Sequence, residues 1–215
     1  MRDVILFRLL GSLLLVSWLF IFFHHVFWSY WGYLLWLSNI VLLFSGIALL
    51  MRNNFFISGS FLAVFLMHLL WIIDFLVLLF INSAPLGFTA YLRDLATWDV
   101  FMTSHHFFLL PVLGFALYRQ KVFYKKAWLL AGLLFLLASF SSFFLTGSNY
   151  NINCSHGSCG VLEDSFGLIQ DLYDFNSFLY LIFINLGMTF LNYYPLNMLF
   201  LFISKRLTAK KLVRK

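Results

Sequence analysis

Charge is scarce in this chain. Only 10% of its 215 residues are Asp, Glu, Lys or Arg, and it has only two cysteines and three prolines. Soluble domains are about 25% charged and about 45–50% apolar. Here 63% of the residues are hydrophobic, 29 of them phenylalanine, and the mean hydropathy is +0.93. This composition excludes a soluble enzyme, a nucleic-acid-binding protein and a disordered regulator, and it predicts an integral membrane protein.

Six apolar runs are long enough to cross a bilayer, which takes about 20 residues in a helix. They cover residues 5–24, 31–50, 55–81, 101–118, 127–145 and 177–203. None shows the alternation of apolar and polar residues that marks a membrane-spanning strand. The sequence therefore predicts an all-α polytopic membrane protein, with residues 1–215 forming one transmembrane domain. It is a bundle of about six helices with two long loops, 82–100 and 146–176.

The distribution of positive charge orients this bundle. With six spans, both termini and the loops at 51–54 and 119–126 share one side. Thirteen of the 14 lysines and arginines lie on that side, and Arg93 alone lies opposite. Because positive residues collect on the cytoplasmic side of membrane proteins, we expect both termini to be cytoplasmic and the two long loops to be external. The basic C-terminal tail then contacts lipid headgroups rather than nucleic acid.

Asp74 is the one acidic residue inside a predicted span. A carboxylate at such a depth costs roughly 2.5–3.5 kcal/mol on insertion scales, so it is usually paired, protonated or functional. Three interpretations stay open: a side chain that reaches water near the interface, a residue of a functional site, and a structural pair.

Histidines gather near the external ends of two predicted spans. His105 and His106 open the fourth span, five or six residues before Pro111, and His24 and His25 end the first. Imidazole suits general base catalysis or metal binding at neutral pH, but it also anchors helices at the headgroup level. No close spacing of ligands supports a metal site. We therefore predict no cofactor, with a metal held by His24, His25, His105 and His106 as the alternative.

The two cysteines, Cys154 and Cys159, both lie in the second long loop. An oxidising exterior would let them form a disulfide that closes a small loop. The alternatives are a thiol nucleophile paired with His156 and a metal site.

Three segments carry a resemblance to known membrane proteins: TWDVFMTSHHFFLLPVLGFALYRQ, NYNIN and NYYPLNMLFLFI. They resemble a bacterial group of uncharacterised six-span membrane proteins, in which a histidine precedes a proline and an N-x-N segment precedes the last span. More distantly, the layout is similar to the androgen-induced-gene-type membrane hydrolases, which cleave lipid esters with an intramembrane threonine and histidine. His106 stands five residues before Pro111, as their histidine does. Where they have threonine, the nearest hydroxyl here is Ser38.

Two functions follow as hypotheses. The first is a lipid-directed hydrolase or acyl-transfer enzyme with a site at the outer leaflet, acting on a lipid ester. Ser38 would be the nucleophile and His106 the general base, with Asp74 or Asp99 orienting the imidazole. The second is a non-enzymatic membrane partner, an assembly protein or a small transporter. The resemblance implies the bacterial inner membrane, although the endoplasmic reticulum would satisfy the same charge rule.

Overall fold

The computed structural model describes residues 2–94, 97–148, 151–157 and 167–212, and in these residues helices joined by turns and loops are the secondary structure, without a strand. The all-α prediction is thus confirmed. The α-helices are α1 (Arg2–Phe27), α2 (Leu37–Met51), α3 (Asn54–Ile81), α4 (Thr97–Met102), α5 (His105–Gln120), α6 (Ala127–Leu145), α7 (Gly167–Phe175), α8 (Ser177–Gly187) and α9 (Tyr194–Leu212). A π-helical segment, Met188–Tyr193, connects α8 to α9. Short 3-10 helices cover Trp31–Leu35, Ala90–Asp94 and Ile152–Cys154.

Five helical stretches in the described residues are long and apolar enough to cross a membrane. They are Asp3–Phe27, Asn54–Ile81, Thr97–Gln120, Ala127–Leu145 and Ser177–Arg206. A sixth apolar helix, α2, has 15 residues. It is shorter than the predicted run because Trp36 adopts a non-helical conformation (φ −53°, ψ 132°) and separates α2 from the preceding 3-10 helix. Several such helices are compatible with a multi-pass membrane protein.

Small residues let the helices of the bundle approach closely. A Cβ atom added at Gly11 of α1 would lie only 2.8 Å from the carbonyl oxygen of Gly46 in α2. A Cβ atom at Gly59 of α3 would lie 2.5 Å from the side chain of Leu130 in α6. Helices in lipid associate largely through such van der Waals contacts, because the lipid tails are as apolar as the side chains and the hydrophobic effect does not drive the helices together. Larger residues at these glycines would push the helices apart.

One end of the bundle, which we call the basic end, brings together the start of α1, the α2–α3 turn and the α5–α6 loop. Asp3 forms an ion pair with Arg119 at the end of α5. In the α5–α6 loop, the backbone N–H of Tyr124 donates to Ser58 of α3, 3.1 Å away. The Lys125 carbonyl accepts from Asn197 of α9 at 2.9 Å. These contacts join segments that are distant in sequence and rich in Lys and Arg.

The opposite end, which we call the loop end, holds the other ends of the same helices. There the Ala90–Asp94 3-10 helix, α4 and the Ile152–Cys154 3-10 helix cover the helices. Large apolar side chains on the outside of the bundle are widely exposed, for example Leu13 (62%) and Phe20 (63%) in α1. Exposed rows of this kind are unfavourable in water and natural against lipid tails.

Candidate functional site: a histidine cluster at the loop end

Five of the six histidines of the chain form two groups, a pair on α1 (His24 and His25) and a trio on α3 and α5 (His68, His105 and His106). The ring centroids of His105 and His106 are 4.2 Å apart, and those of His68 and His106 are 4.6 Å apart. The centroid of His25 lies 5.3 Å from that of its neighbour His24. From the sequence, a metal site of His24, His25, His105 and His106 was only the alternative to no metal, and His68 was expected to be a packed, hydrogen-bonded core residue. His68 is indeed buried, but neither of its ring nitrogens has a hydrogen-bond partner in the described residues.

Aromatic packing holds His106 in the cluster. Its ring stacks on Trp71 of α3, with centroids 4.4 Å apart and planes inclined by 18°. Trp71 in turn stacks on Phe75, one turn further along α3. His106 therefore faces α3 and packs on Trp71, whereas the catalytic hypothesis made Ser38, and Asp74 or Asp99, its partners.

Backbone carbonyl groups fix the tautomer of two of these histidines. Nδ1 of His105 lies 3.0 Å from the carbonyl oxygen of Met102, and Nδ1 of His106 lies 2.8 Å from that of Thr103. A carbonyl oxygen can only accept, so Nδ1 carries the hydrogen in both rings. In each neutral ring, Nε2 therefore presents its lone pair.

Several other ring nitrogens in the cluster have no hydrogen-bond partner within the described part of the chain. They are Nδ1 of His24 and of His25, Nε2 of His105, and both nitrogens of His68. His68 and His105 are only 3% and 4% exposed. A buried polar atom without a partner costs about 1–3 kcal/mol, so native proteins rarely keep one without a functional reason.

His24 pairs with Asp99, a contact that the sequence did not suggest. Nε2 of His24 lies 3.1 Å from Oδ1 of Asp99, which lies at the start of α4. The side chain of Asp99 is 30% exposed. The carboxylate thus orients His24 rather than His106. With the Nε2 hydrogen directed at Asp99, the lone pair of the neutral ring lies on Nδ1.

An apolar cleft of about 390 Å³ runs beside this pair. Its wall includes His24, together with aromatic and aliphatic side chains of α1 and α4 (Phe20, Phe23, Val26, Phe27, Trp28, Trp98 and Met102). A cleft with apolar walls and one polar group suits an acyl chain.

Asp74 has a different set of partners from those that the catalytic hypothesis requires. It is fully buried. Its carboxylate accepts the backbone N–H groups of Leu86 and Thr89, both at 2.8 Å, and the hydroxyl of Thr89 at 2.9 Å. All three bonds come from the loop that follows α3, and none comes from a histidine. Of the three interpretations, the geometry fits the structural pair.

Ser38 lies in the first turn of α2 and is largely buried. Among the described residues, no hydrogen bond joins its hydroxyl to His106 or to another histidine. The structure therefore places His24 beside His25 and His105 beside His106, and it pairs Asp99 with His24. It leaves Ser38 and Asp74 outside that set of contacts.

The second long loop is fastened to the helices by Asn153, which belongs to the NYNIN segment. Its amide oxygen accepts the backbone N–H of Leu37 at 2.9 Å. Its amide nitrogen donates to the carbonyl of Leu35 at 2.7 Å and to the hydroxyl of Ser142 at 2.9 Å. The N-x-N segment thus has a structural role here: it caps the start of α2.

Cys154 is disulfide-bonded in the structure. Cys159 lies outside the described residues, so the pairing of the two stays a prediction. Next to Cys154, the hydroxyl of Tyr180 in α8 lies 2.8 Å from the Cys154 carbonyl oxygen and 2.7 Å from that of Gly157. His156 stacks on Phe143, and its Nε2 lies 3.1 Å from the Thr146 carbonyl. It belongs to this loop and not to the histidine cluster.

Comparisons with known proteins add no relative: no family model matches the chain, and neither a curated protein nor a solved structure matches it significantly. The function must therefore be argued from the geometry of the site.

Proposed function

We propose that this protein is a six-span membrane protein that hydrolyses or transfers the acyl group of a lipid ester at the loop end of the bundle. The observation that carries the proposal is the pair of His24 and Asp99 beside an apolar cleft. A histidine oriented by a carboxylate is the usual general base of acyl transfer. The apolar walls of the cleft would hold the acyl chain and bring its ester carbonyl to the pair.

The topology of this proposal rests on the two ends of the bundle. Segments rich in Lys and Arg meet at the basic end, so the positive-inside rule assigns that end and both termini to the cytoplasm. The second predicted span then consists of the Trp31–Leu35 3-10 helix and α2 together. In this orientation, the cleft and the histidine cluster open toward the outer leaflet. Cysteine labelling from outside the cell at Ser83 and at Thr208 tests it: only the first should react.

Each acyl transfer moves one proton twice. Nδ1 of His24 takes a proton from the attacking water or hydroxyl group, whose oxygen bonds to the ester carbonyl carbon, and the imidazolium gives that proton to the departing alkoxide, which leaves as an alcohol. Attack by water releases a free acid, and attack by an alcohol gives a new ester. If Ser38 attacks, the first product is an acyl-enzyme, and a second round with water and the same two proton transfers releases the acid and restores the Ser38 hydroxyl. Asp99 stabilises the imidazolium while it lasts. General base catalysis of this kind contributes about 10²–10⁴-fold in rate.

The experiment measures fatty acid release from phospholipid and glyceride vesicles by the purified full-length protein. We expect His24→Gln to lower kcat/KM at least about 100-fold, and Asp99→Asn to lower it by a smaller but clear factor, because Asp99 acts through the imidazole. The control is His156→Gln, which changes the one histidine outside the cluster and should keep full turnover. Full turnover by both cleft variants, or no turnover by the parent with either lipid class, would overturn the proposal.

The identity of the attacking hydroxyl is tested separately with a fluorophosphonate probe. Ser38 is the hydroxyl that the sequence suggests, and loss of labelling in Ser38→Ala would identify it. If the parent hydrolyses lipid but does not react with the probe, the attack belongs to water. A parent that shows neither activity is better explained by the non-enzymatic alternative, a membrane partner or small transporter.

A further inference from the structure

A second cleft lies at the basic end, at the other end of the bundle from the His24–Asp99 pair. It has a volume of about 480 Å³ and lies between the α2–α3 turn and the α5–α6 loop. We call it the basic cleft, and six residues line it: Arg52, Asn53, Asn54, Phe55, Tyr124 and Lys126. The proposed reaction uses none of them, so their arrangement needs an explanation of its own.

Contacts between the turn and the loop give the basic cleft a fixed shape. The rings of Phe55 and Tyr124 pack edge to face, with centroids 5.1 Å apart and planes inclined by 63°. The backbone N–H of Tyr124 also donates to Ser58 of α3 at 3.1 Å. On the turn, Oδ1 of Asn53 accepts the backbone N–H groups of Phe55 and Phe56, at 3.0 and 3.3 Å. The cleft is therefore formed before any ligand enters, as ligand sites usually are.

Arg52 and Lys126 give the basic cleft two positive charges. Neither forms an ion pair with any described residue. Asp3 is the only acidic residue in the segments that meet at this end, and its ion-pair partner is Arg119. The guanidinium of Arg52 lies over the ring of Phe7 in α1, with Cζ 5.8 Å from the ring centroid. Two cations without an ion-pair partner beside one cleft attract an anion.

The neutral residues of the basic cleft add hydrogen-bond donors. The side-chain nitrogens of Asn53 and Asn54 and the hydroxyl of Tyr124 have no hydrogen-bond partner within the described ranges. Oδ1 of Asn54 is buried, which leaves Nδ2 as the accessible end of its amide. Guanidinium and ammonium groups only donate, and none of the six lining residues has a carboxylate. A phosphate group fits these donors, because it combines negative charge with several acceptor oxygens.

We propose that the basic cleft binds a phosphate group, supplied either by an acidic phospholipid or by a soluble phosphate compound. The position of the cleft offers it phospholipid, since its residues stand at the start of two helical stretches long enough to cross a membrane, Asn54–Ile81 and Ala127–Leu145. Basic pockets between membrane helices bind the headgroups of acidic lipids in this way. A soluble phosphate compound has the same chemistry, and the experiment separates the two sources.

The test measures lipid binding to the purified full-length protein in detergent by native mass spectrometry. Two ether-linked lipids are compared, a phosphatidylglycerol and the dialkylglycerol with the same chains, which lacks the phosphate. Neither contains an ester, so the proposed reaction cannot consume them. The parent should bind the phospholipid at least about tenfold more tightly than the dialkylglycerol, because hydrogen bonds to charged groups are the stronger ones.

Two double variants with the same change in net charge locate the site. Arg52→Gln with Lys126→Gln should weaken binding of the phospholipid at least about tenfold. The control is Lys205→Gln with Arg206→Gln, which removes two positive charges from α9 outside the cleft. These two residues follow Ser204, whose hydroxyl lies 3.5 Å from the Lys121 carbonyl oxygen at the same end of the bundle. The control should bind as the parent does, and size-exclusion chromatography establishes that both variants are folded.

Calorimetric titration with inorganic phosphate distinguishes the two sources. Binding of the phospholipid alone identifies lipid as the ligand, whereas binding of inorganic phosphate that the Arg52 and Lys126 variant loses identifies a soluble phosphate compound. The proposal is overturned if the parent neither prefers the phospholipid to the dialkylglycerol nor binds inorganic phosphate. It is also overturned if the Arg52 and Lys126 variant binds no more weakly than its control. The test uses neither His24 nor an ester substrate, so this proposal and that of lipid hydrolysis can fail separately.

Discussion

Two groups of polar side chains lie at the loop end of this bundle, and they differ in whether their hydrogen bonds are complete. The amide oxygen of Asn153 accepts one hydrogen bond from α2, and its amide nitrogen donates two, one to the segment before α2 and one to α6. His68 uses neither of its nitrogens, although it is just as deeply buried. Both are polar residues in an apolar setting, so the sequence alone treats them alike.

The difference separates residues that hold the fold from residues that are available for chemistry. A polar side chain whose hydrogen bonds are complete adds about 1 kcal/mol per hydrogen bond to the free energy of unfolding. Its removal costs more when buried partners are left unpaired. An unsatisfied one lowers stability, and proteins keep such residues mainly at functional sites. If this distinction is right, substitutions in the two groups should change stability in opposite directions.

The largest effect is expected for Asn153→Ala. Alanine removes three hydrogen bonds and leaves the buried N–H of Leu37 without an acceptor. Asn153 also has a positive φ of 58°, a conformation that asparagine tolerates and alanine does not. We expect the free energy of unfolding in detergent to fall by about 3 kcal/mol, measured by thermal or denaturant unfolding.

The matched control is Ser155→Ala, two residues further in the same loop. Ser155 is fully buried, and its hydroxyl has no partner in the described residues. Its removal should leave stability unchanged or slightly raised. An Asn153→Ala variant as stable as the Ser155→Ala variant would contradict the role of Asn153 as an anchor.

Asp74→Asn should have the next largest effect, about 2 kcal/mol. The amide that replaces one carboxylate oxygen donates instead of accepting, so it faces at least one N–H group of the 86–89 loop. Thr89→Val removes only one of the three donors and should cost about 1 kcal/mol. The measurement is the unfolding midpoint of both single variants and of the double variant.

The double variant decides between the two interpretations of Asp74. If Asp74 anchors the loop, the two effects should be less than additive, because they share a hydrogen bond. Strict additivity, or a loss of activity in Asp74→Asn without any loss of stability, would return Asp74 to the catalytic hypothesis.

Tyr180→Phe should cost about 1 kcal/mol. The variant keeps the buried ring and removes only the hydroxyl group, which lies within hydrogen-bond distance of the Cys154 and Gly157 carbonyl oxygens. Unfolding of Tyr30→Phe provides the comparison, since Tyr30 is 46% exposed. Equal stability of the two variants would show that the hydroxyl of Tyr180 does not hold the loop.

The sequence predicted the helical fold because the length of an apolar run is a local property. It was less accurate at the second run, where a single residue, Trp36, leaves the helical conformation and shortens α2. The sequence stays apolar across Trp36, where the helical conformation is interrupted, so composition could not reveal the interruption. The clustering of basic residues at one end could be predicted for a similar reason, because the number of spans alone decides which loops share a side of the bundle.

The partners of the polar residues were harder to predict. His24 meets Asp99 only because α1 packs near the start of α4, and the two residues are far apart in the chain. Asp74 was singled out as a polar residue inside a span, but its partners lie in a loop with no distinctive sequence signal apart from Thr89. The N-x-N segment was noticed as a resemblance without a role, since the role depends on Leu37 and Ser142. Such contacts follow from packing rather than from any single motif.

The smallest expected change in stability, and the one opposite in sign, is that of His68→Leu. Leucine removes two buried nitrogens that have no partner and keeps most of the volume of the ring, so the free energy of unfolding should rise by up to about 1 kcal/mol. Unfolding of the purified protein in detergent measures it. The control is His156→Leu, which should lose stability instead, because His156 has a carbonyl partner. A His68→Leu variant less stable than the parent would mean that His68 is held by interactions of its own. It would then belong with Asn153, among the residues that hold the fold.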